Sequence, residues 1–156
     1  MKRSGLLLGA VVVALAAGSV MASTLMRLCV GDHARLWKLV VVGEVVSLRG
    51  VDHPEFGIET EVELRVGDVL KGKLSTGDTV VFHTREGVVG DTVSEAMGEA
   101  RFNIGQKVLV FIEDVDARLY NVGLSTGVWN VQDRAGDVTF TRALTDGLEV
   151  VGDGAL

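Results

Sequence analysis

Cysteine, proline and aromatic residues are scarce in this 156-residue chain, which has one Cys, one Pro and 5% Phe, Trp and Tyr. A single cysteine excludes an internal disulfide and a Cys-based zinc site. There is no HExxH, no glycine-rich phosphate loop, no GxSxG elbow and no CxxC, so those chemistries lack their usual scaffolds. Basic charge is also short. Fifteen Lys and Arg face 21 Asp and Glu, a net charge of -6, which argues against a nucleic-acid partner. An apolar fraction of 47% is too high for a disordered chain, and the length fits one domain.

What is present begins with a targeting signal. Met1-Lys2-Arg3 is basic, Leu6 to Ala17 reads LLLGAVVVALAA, and Val20 and Ala22 stand at -3 and -1 of a cut between Ala22 and Ser23. Basic start, apolar middle and small-residue end make a secretory signal peptide. The alternative is an uncut anchor, but the 17-residue apolar run Leu6–Ala22 is at the low end for a bilayer span. The expectation is a signal peptide over residues 1–22 and a single domain over 23–156, with its core at about 37–142, exported to the periplasm or secreted. Membrane contact is expected only if the signal stays uncut. Cleavage removes Lys2 and Arg3 and no acid, leaving 13 bases against 21 acids, net -8. Cys29 follows Arg27-Leu28 beyond the apolar run, which does not suit a lipid-attachment box. It is expected to be a buried free thiol.

The rest is rich in Val, Thr and Gly and reads as mostly β. The segment Ser23–Leu36 is the best helix candidate, interrupted at Gly31-Asp32. Leu39–Leu48 starts without alternation, as a strand covered on both faces would, and Gly43 within it signals a bulge or bend. Ile58–Leu70 alternates cleanly, with Glu59, Glu61, Glu63 and Arg65 on a face expected to be solvated. Further strands are read at Asp78–Thr84, Lys107–Glu113, Arg118–Val122, Gly127–Gln132 and Asp137–Thr141, with a short one at Glu149–Val151. Several such strands with Gly turns suggest a small barrel or sandwich. The connection from Arg85 to Arg101 has low strand character and room for a helical turn at Ser94–Ala100. A loop that long in a compact domain is usually functional or mobile, so Arg85, Glu86 and Arg101 are the candidate partner-binding residues. Leu-Ser-Thr-Gly occurs at Leu74–Gly77 and again at Leu124–Gly127, which reads as reuse of a good turn.

Catalytic constellations are thin. Cys29 and His33 are four apart, and thiolate plus imidazole is nucleophile chemistry, but Gly31-Asp32 breaks the helix that would align them and no oxyanion donor is evident. His53-Pro54-Glu55 reads as turn chemistry and His83 as a structural strand histidine, because a tetrahedral metal site needs three or four converging groups. Glu113, Asp114 and Asp116 read as a charged hairpin turn. Trp37, Trp129 and Tyr120 suit a binding face or a core equally. No catalytic, cofactor or metal site is expected.

The order of these segments resembles the small exported domains of the netrin-like, tissue-inhibitor-of-metalloproteinase-like group and their bacterial relatives. Val42-Gly43-Glu44-Val45 stands in the place of the group's V-x-GKV strand, Val69-Leu70-Lys71-Gly72 in that of V-x-LKG, and Phe102–Val110 in that of F-x-x-G-x-x-Y-L-V. The resemblance spans roughly residues 24–132. It implies a mainly β fold, a small OB-like antiparallel β-barrel with a short N-terminal helix. Inhibitors of this group begin with a cysteine whose amine and carbonyl chelate the protease zinc. Here the predicted start is Ser23 and Cys29 lies six residues inside, so that wedge is absent. The function expected is a protein-interaction or ligand-binding module without catalysis, its partner an envelope or extracellular protein. The alternatives are a non-classical metalloprotease inhibitor and a signal-anchored structural protein of the envelope.

Overall fold

The computed structural model describes residues 25–26, 37–143 and 150–151. It is mainly β. In chain order the strands are β1 Leu25–Met26, β2 Leu39–His53, β3 Gly57–Lys71, β4 Thr79–Thr84, β5 Gly87–Val89, β6 Thr92–Ser94, β7 Lys107–Val115, β8 Arg118–Asn121, β9 Val128–Arg134, β10 Asp137–Arg142 and β11 Val150–Val151, with a 3-10 turn at Leu124–Gly127.

Five strands form a ring. β2 pairs antiparallel with β3 and β7, β3 with β4, and β7 with β8, while the single parallel pairing of His83 with Tyr120 joins β4 to β8. β9 continues along β7 beyond β8, and β10 folds back on β9 as a projecting hairpin. β5 and β6 make a separate two-stranded hairpin, and β1 pairs in parallel with β11.

The unbroken apolar run of β2 serves two cores. Val41 and Val45 face the ring interior with Val62, Leu64, Phe82, Val108, Val110 and Ile112. Val40 faces outward onto Leu109, Phe111 and Val122, beside Trp37 and Trp129. β7 is therefore apolar on both faces, as KVLVFIE implies. Gly43 lies at a register shift, and a Cβ there would sit 2.5 Å from the Arg65 carbonyl oxygen. The expected bend is thus real, and it needs glycine because β3 passes directly against it.

Three expectations change. Leu25–Met26 is a strand; the rest of the predicted helix, the cleavage site Ala22-Ser23, Cys29 and His33 lie outside the described residues. Ser94–Ala100 is not helical, and the 85–101 connection instead contains the β5–β6 hairpin. The carboxylate face of β3 is not a wet face throughout, because Glu59 is 1% exposed. Across five strands the register sets Arg49, Glu61, His83, Tyr120 and Glu113 in one row. Tyr120 and Arg118, reaching over from β8, cover Glu59, something alternation within one strand does not reveal.

Candidate functional site

The connection between β4 and β7 is held down at both ends. At its start, the Thr60 hydroxyl donates to the Glu86 carbonyl at 2.7 Å and the Thr84 hydroxyl does so at 3.3 Å. At its end, Glu99 is 3% exposed and its carboxylate accepts three bonds. These come from the Arg85 amide at 3.1 Å, the Ala100 amide at 3.1 Å and the Asn121 side-chain amide at 2.9 Å. A buried carboxylate without a cation needs such donors to replace its water. The Ser125 amide adds a bond to the Gly98 carbonyl at 2.9 Å.

Between these anchors the β5–β6 hairpin lies against the ring through two glycine contacts. A Cβ on Gly50 would meet the Val88 carbonyl oxygen at 1.9 Å, and one on Gly87 would meet the Glu59 carbonyl oxygen at 2.6 Å. Backbone packs on backbone, and the hairpin stands as the wall of an open cleft of about 500 Å³. Thr60 and Thr84 line it, with Phe102 at its base, where the ring meets Phe82 edge-on at 5.4 Å. Glu86 and Arg101 line it as an ion pair 3.4 Å apart. Burial pushes the Glu86 carboxyl above its usual range. Arg101 opposes that push, while Glu99 and Glu95 add to it.

The cleft's wall ends in apolar side chains. Val88 and Val93 are a directly opposed cross-strand pair, 56% and 60% exposed. Met97 and Ile104 are exposed on the same connection. Four large apolar groups are thus turned to water along one connection.

Of the three residues singled out in sequence, the structure brings Glu86 and Arg101 together in the cleft. Arg85 is placed elsewhere, its guanidinium 5.4 Å above the Tyr120 ring on the outer face. There Glu59 accepts from the Tyr120 hydroxyl at 2.7 Å and from Arg118 at 2.6 Å. Burial and the bond to Glu59 hold the Tyr120 proton on, so its titration moves upward. His83 has its Nδ1 on the Leu119 carbonyl at 3.1 Å, and its Nε2 lies 3.6 Å from Glu61. His53 caps its turn by accepting from the Glu55 and Phe56 amides, as turn chemistry predicts. Asp116 and Ala117, both with positive φ, close the β7–β8 hairpin expected at EDVDA.

Glu99 and the Val88–Val93 pair were not among the candidates. The hairpin had a readable signal, since Gly90-Asp91 sits between two β-branched pairs, a two-residue turn pattern. Glu99 had none, because two of its three donors come from residues 14 and 22 positions away. Among the described residues no three His, Cys, Asp or Glu converge as a metal site, and no helix is long and apolar enough to cross a membrane. No protein-family model matches the chain, and no curated protein or solved structure matches it.

Proposed function

We propose that the chain is an exported binding module with an OB-like barrel of the netrin-like, tissue-inhibitor-like kind, engaging an envelope or extracellular protein through the cleft beneath the β5–β6 hairpin. The observation that carries this is the anchored connection bearing exposed Val88 and Val93 over a cleft of about 500 Å³. The ring order β2–β3–β4–β8–β7 with one parallel junction supports the OB reading, as does the order of the motif segments. Acidic net charge and the absence of a catalytic motif support binding without chemistry. No cofactor is required.

The test is affinity capture from envelope and medium extracts, with wild type beside Val88→Thr/Val93→Thr/Ile104→Ser. All three positions are exposed, so the variant keeps the fold. Capture by wild type and loss in the variant supports the reading; equal capture by both refutes the cleft as the site.

The exposed Val88 and Val93 on the 85–101 connection also suit contact with a protease groove, and this favours non-classical protease inhibition as the second reading. A metalloprotease panel checks it, and flat inhibition curves at micromolar protein count against it.

A further inference from the structure

The seven-stranded sheet ends at β10, and among the described residues the outer edge of β10 pairs with no strand. Free edges are ordinarily guarded by Lys, Pro, a bulge or a covering segment. Asp137–Arg142 reads DVTFTR, without Lys or Pro, and runs along β9 with no register shift. Its five residues Asp137–Thr141 are exposed. Val138 and Phe140 share one face, 49% and 45% exposed, and line a groove of about 470 Å³ that Leu70, 63% exposed, also lines. Asp133 and Asp137 balance Arg134 and Arg142, so the β9–β10 hairpin is neutral within an acidic chain, and two copies meet there without net repulsion.

We propose that β10 is an interface for a second copy of this chain, pairing antiparallel with itself about a two-fold axis at Thr139. Such an axis runs perpendicular to the sheet and keeps the same face up in both copies. Opposed residue numbers must then sum to an even number, or the faces would not match. Centring on Thr139 sets Val138 against Phe140 of the partner subunit, and Phe140 against the partner's Val138. Centring on Val138 would leave Phe140 opposite a glycine, and centring on Phe140 would leave Val138 opposite an arginine. The Thr139 register therefore matches both apolar residues, and it joins the apolar faces of the two hairpins into one stripe. That self-match selects a second copy over a foreign strand.

Sedimentation velocity on the full chain, up to about 300 µM, tests this together with cysteine crosslinking in a Cys29→Ser background. Directly opposed Cα atoms lie about 4.5–5.5 Å apart, inside the disulfide range of about 4.4–6.8 Å. Thr139→Cys then yields a crosslinked dimer under mild oxidation. Thr141→Cys is offset by four residues from its counterpart, about 13 Å, and stays uncrosslinked. Val138→Lys/Phe140→Lys weakens dimerisation at least about tenfold. The proposal is overturned by a monomer at every concentration, by a dimer that survives the double lysine variant, or by equal crosslinking at both cysteine positions. Recruitment of another protein's strand to β10 of a monomer overturns it as well.

Discussion

The Tyr120 hydroxyl donates to Glu59 Oε1 at 2.7 Å, joining β8 to a strand 61 residues earlier, while Arg118 holds the other carboxylate oxygen. The three side chains form one unit on the outer face of the ring, next to the ring's one parallel junction, His83 with Tyr120. Removing a single member leaves charge or polarity stranded. Tyr120→Phe should cost about 1–3 kcal/mol, the loss of one bond to a buried carboxylate. Arg118→Met should cost about 2–3 kcal/mol, below the full value for a buried pair because Arg118 is 22% exposed. Glu59→Met/Arg118→Met should recover part of that loss, since replacing both charges removes the stranded one. Urea denaturation of the four proteins measures all of this. A double variant less stable than Arg118→Met alone would refute the account.

Gly50 should tolerate no side chain. Its missing Cβ is filled by the Val88 carbonyl oxygen at 1.9 Å, so Gly50→Ala must push the β5–β6 hairpin away from the ring. The expected result is a loss of about 1–3 kcal/mol from overpacking, with cleft-dependent capture lost as well. Gly90→Ala is the control: it has open space around its Cβ and only its positive φ to strain, so it should keep capture while losing some stability. Wild-type capture by Gly50→Ala would show that the hairpin's seat is not what shapes the cleft.

The ring strands and the β9–β10 pair were legible in the sequence because period and turn chemistry are local. The Gly43 bend and the two-sided burial of β2 could be read directly from LVVVG. What was not legible depends on register between distant strands. Glu59 looked like one of three solvated glutamates until Tyr120 and Arg118 arrived from β8. Identical tetrapeptides diverge for the same reason. In Leu74–Gly77, Gly77 takes a positive φ with open space around it, whereas in Leu124–Gly127 it is Leu124 that does so, and Gly127 packs against the Val122 carbonyl. Of the candidate site, Glu86 and Arg101 were found because the loop was long. Val88 and Val93 were missed because their short hairpin was read as irregular.

Two carboxylates should give stability opposite dependences on pH. Burial works against the Glu61 charge, but the hydrogen bond and charge of Arg49, with His83, outweigh it and hold its carboxyl below the usual range. Its contribution is present above the unfolded-state range and is lost as pH falls through the lowered value. Glu86 is raised, so its contribution is present when protonated and is lost as pH rises through the raised value. Glu61→Gln should flatten the acid limb of a stability–pH curve. Glu86→Gln should raise the urea midpoint at neutral pH and leave it unchanged in acid. If both variants track wild type from about pH 3 to about pH 8, neither carboxylate is linked to folding.

Glu99 is where stability and the proposed binding meet. Its carboxylate takes two amides of its own connection and one side-chain amide from β8, so it fixes the distance between the hairpin and the ring. Glu99→Gln swaps an acceptor for a donor against groups that are already donors, and one pair must separate. The local cost should be about 1–3 kcal/mol. It should appear as faster hydrogen exchange at the Arg85 and Ala100 amides while the amides of β2 and β7 stay protected. The cleft would then survive as an ensemble rather than a shape, and capture should weaken even though Val88 and Val93 are untouched. Unchanged exchange at Arg85 together with weakened capture would instead make Glu99 a direct contact. A residue only 3% exposed is badly placed for that, so the exchange measurement separates anchoring from contact.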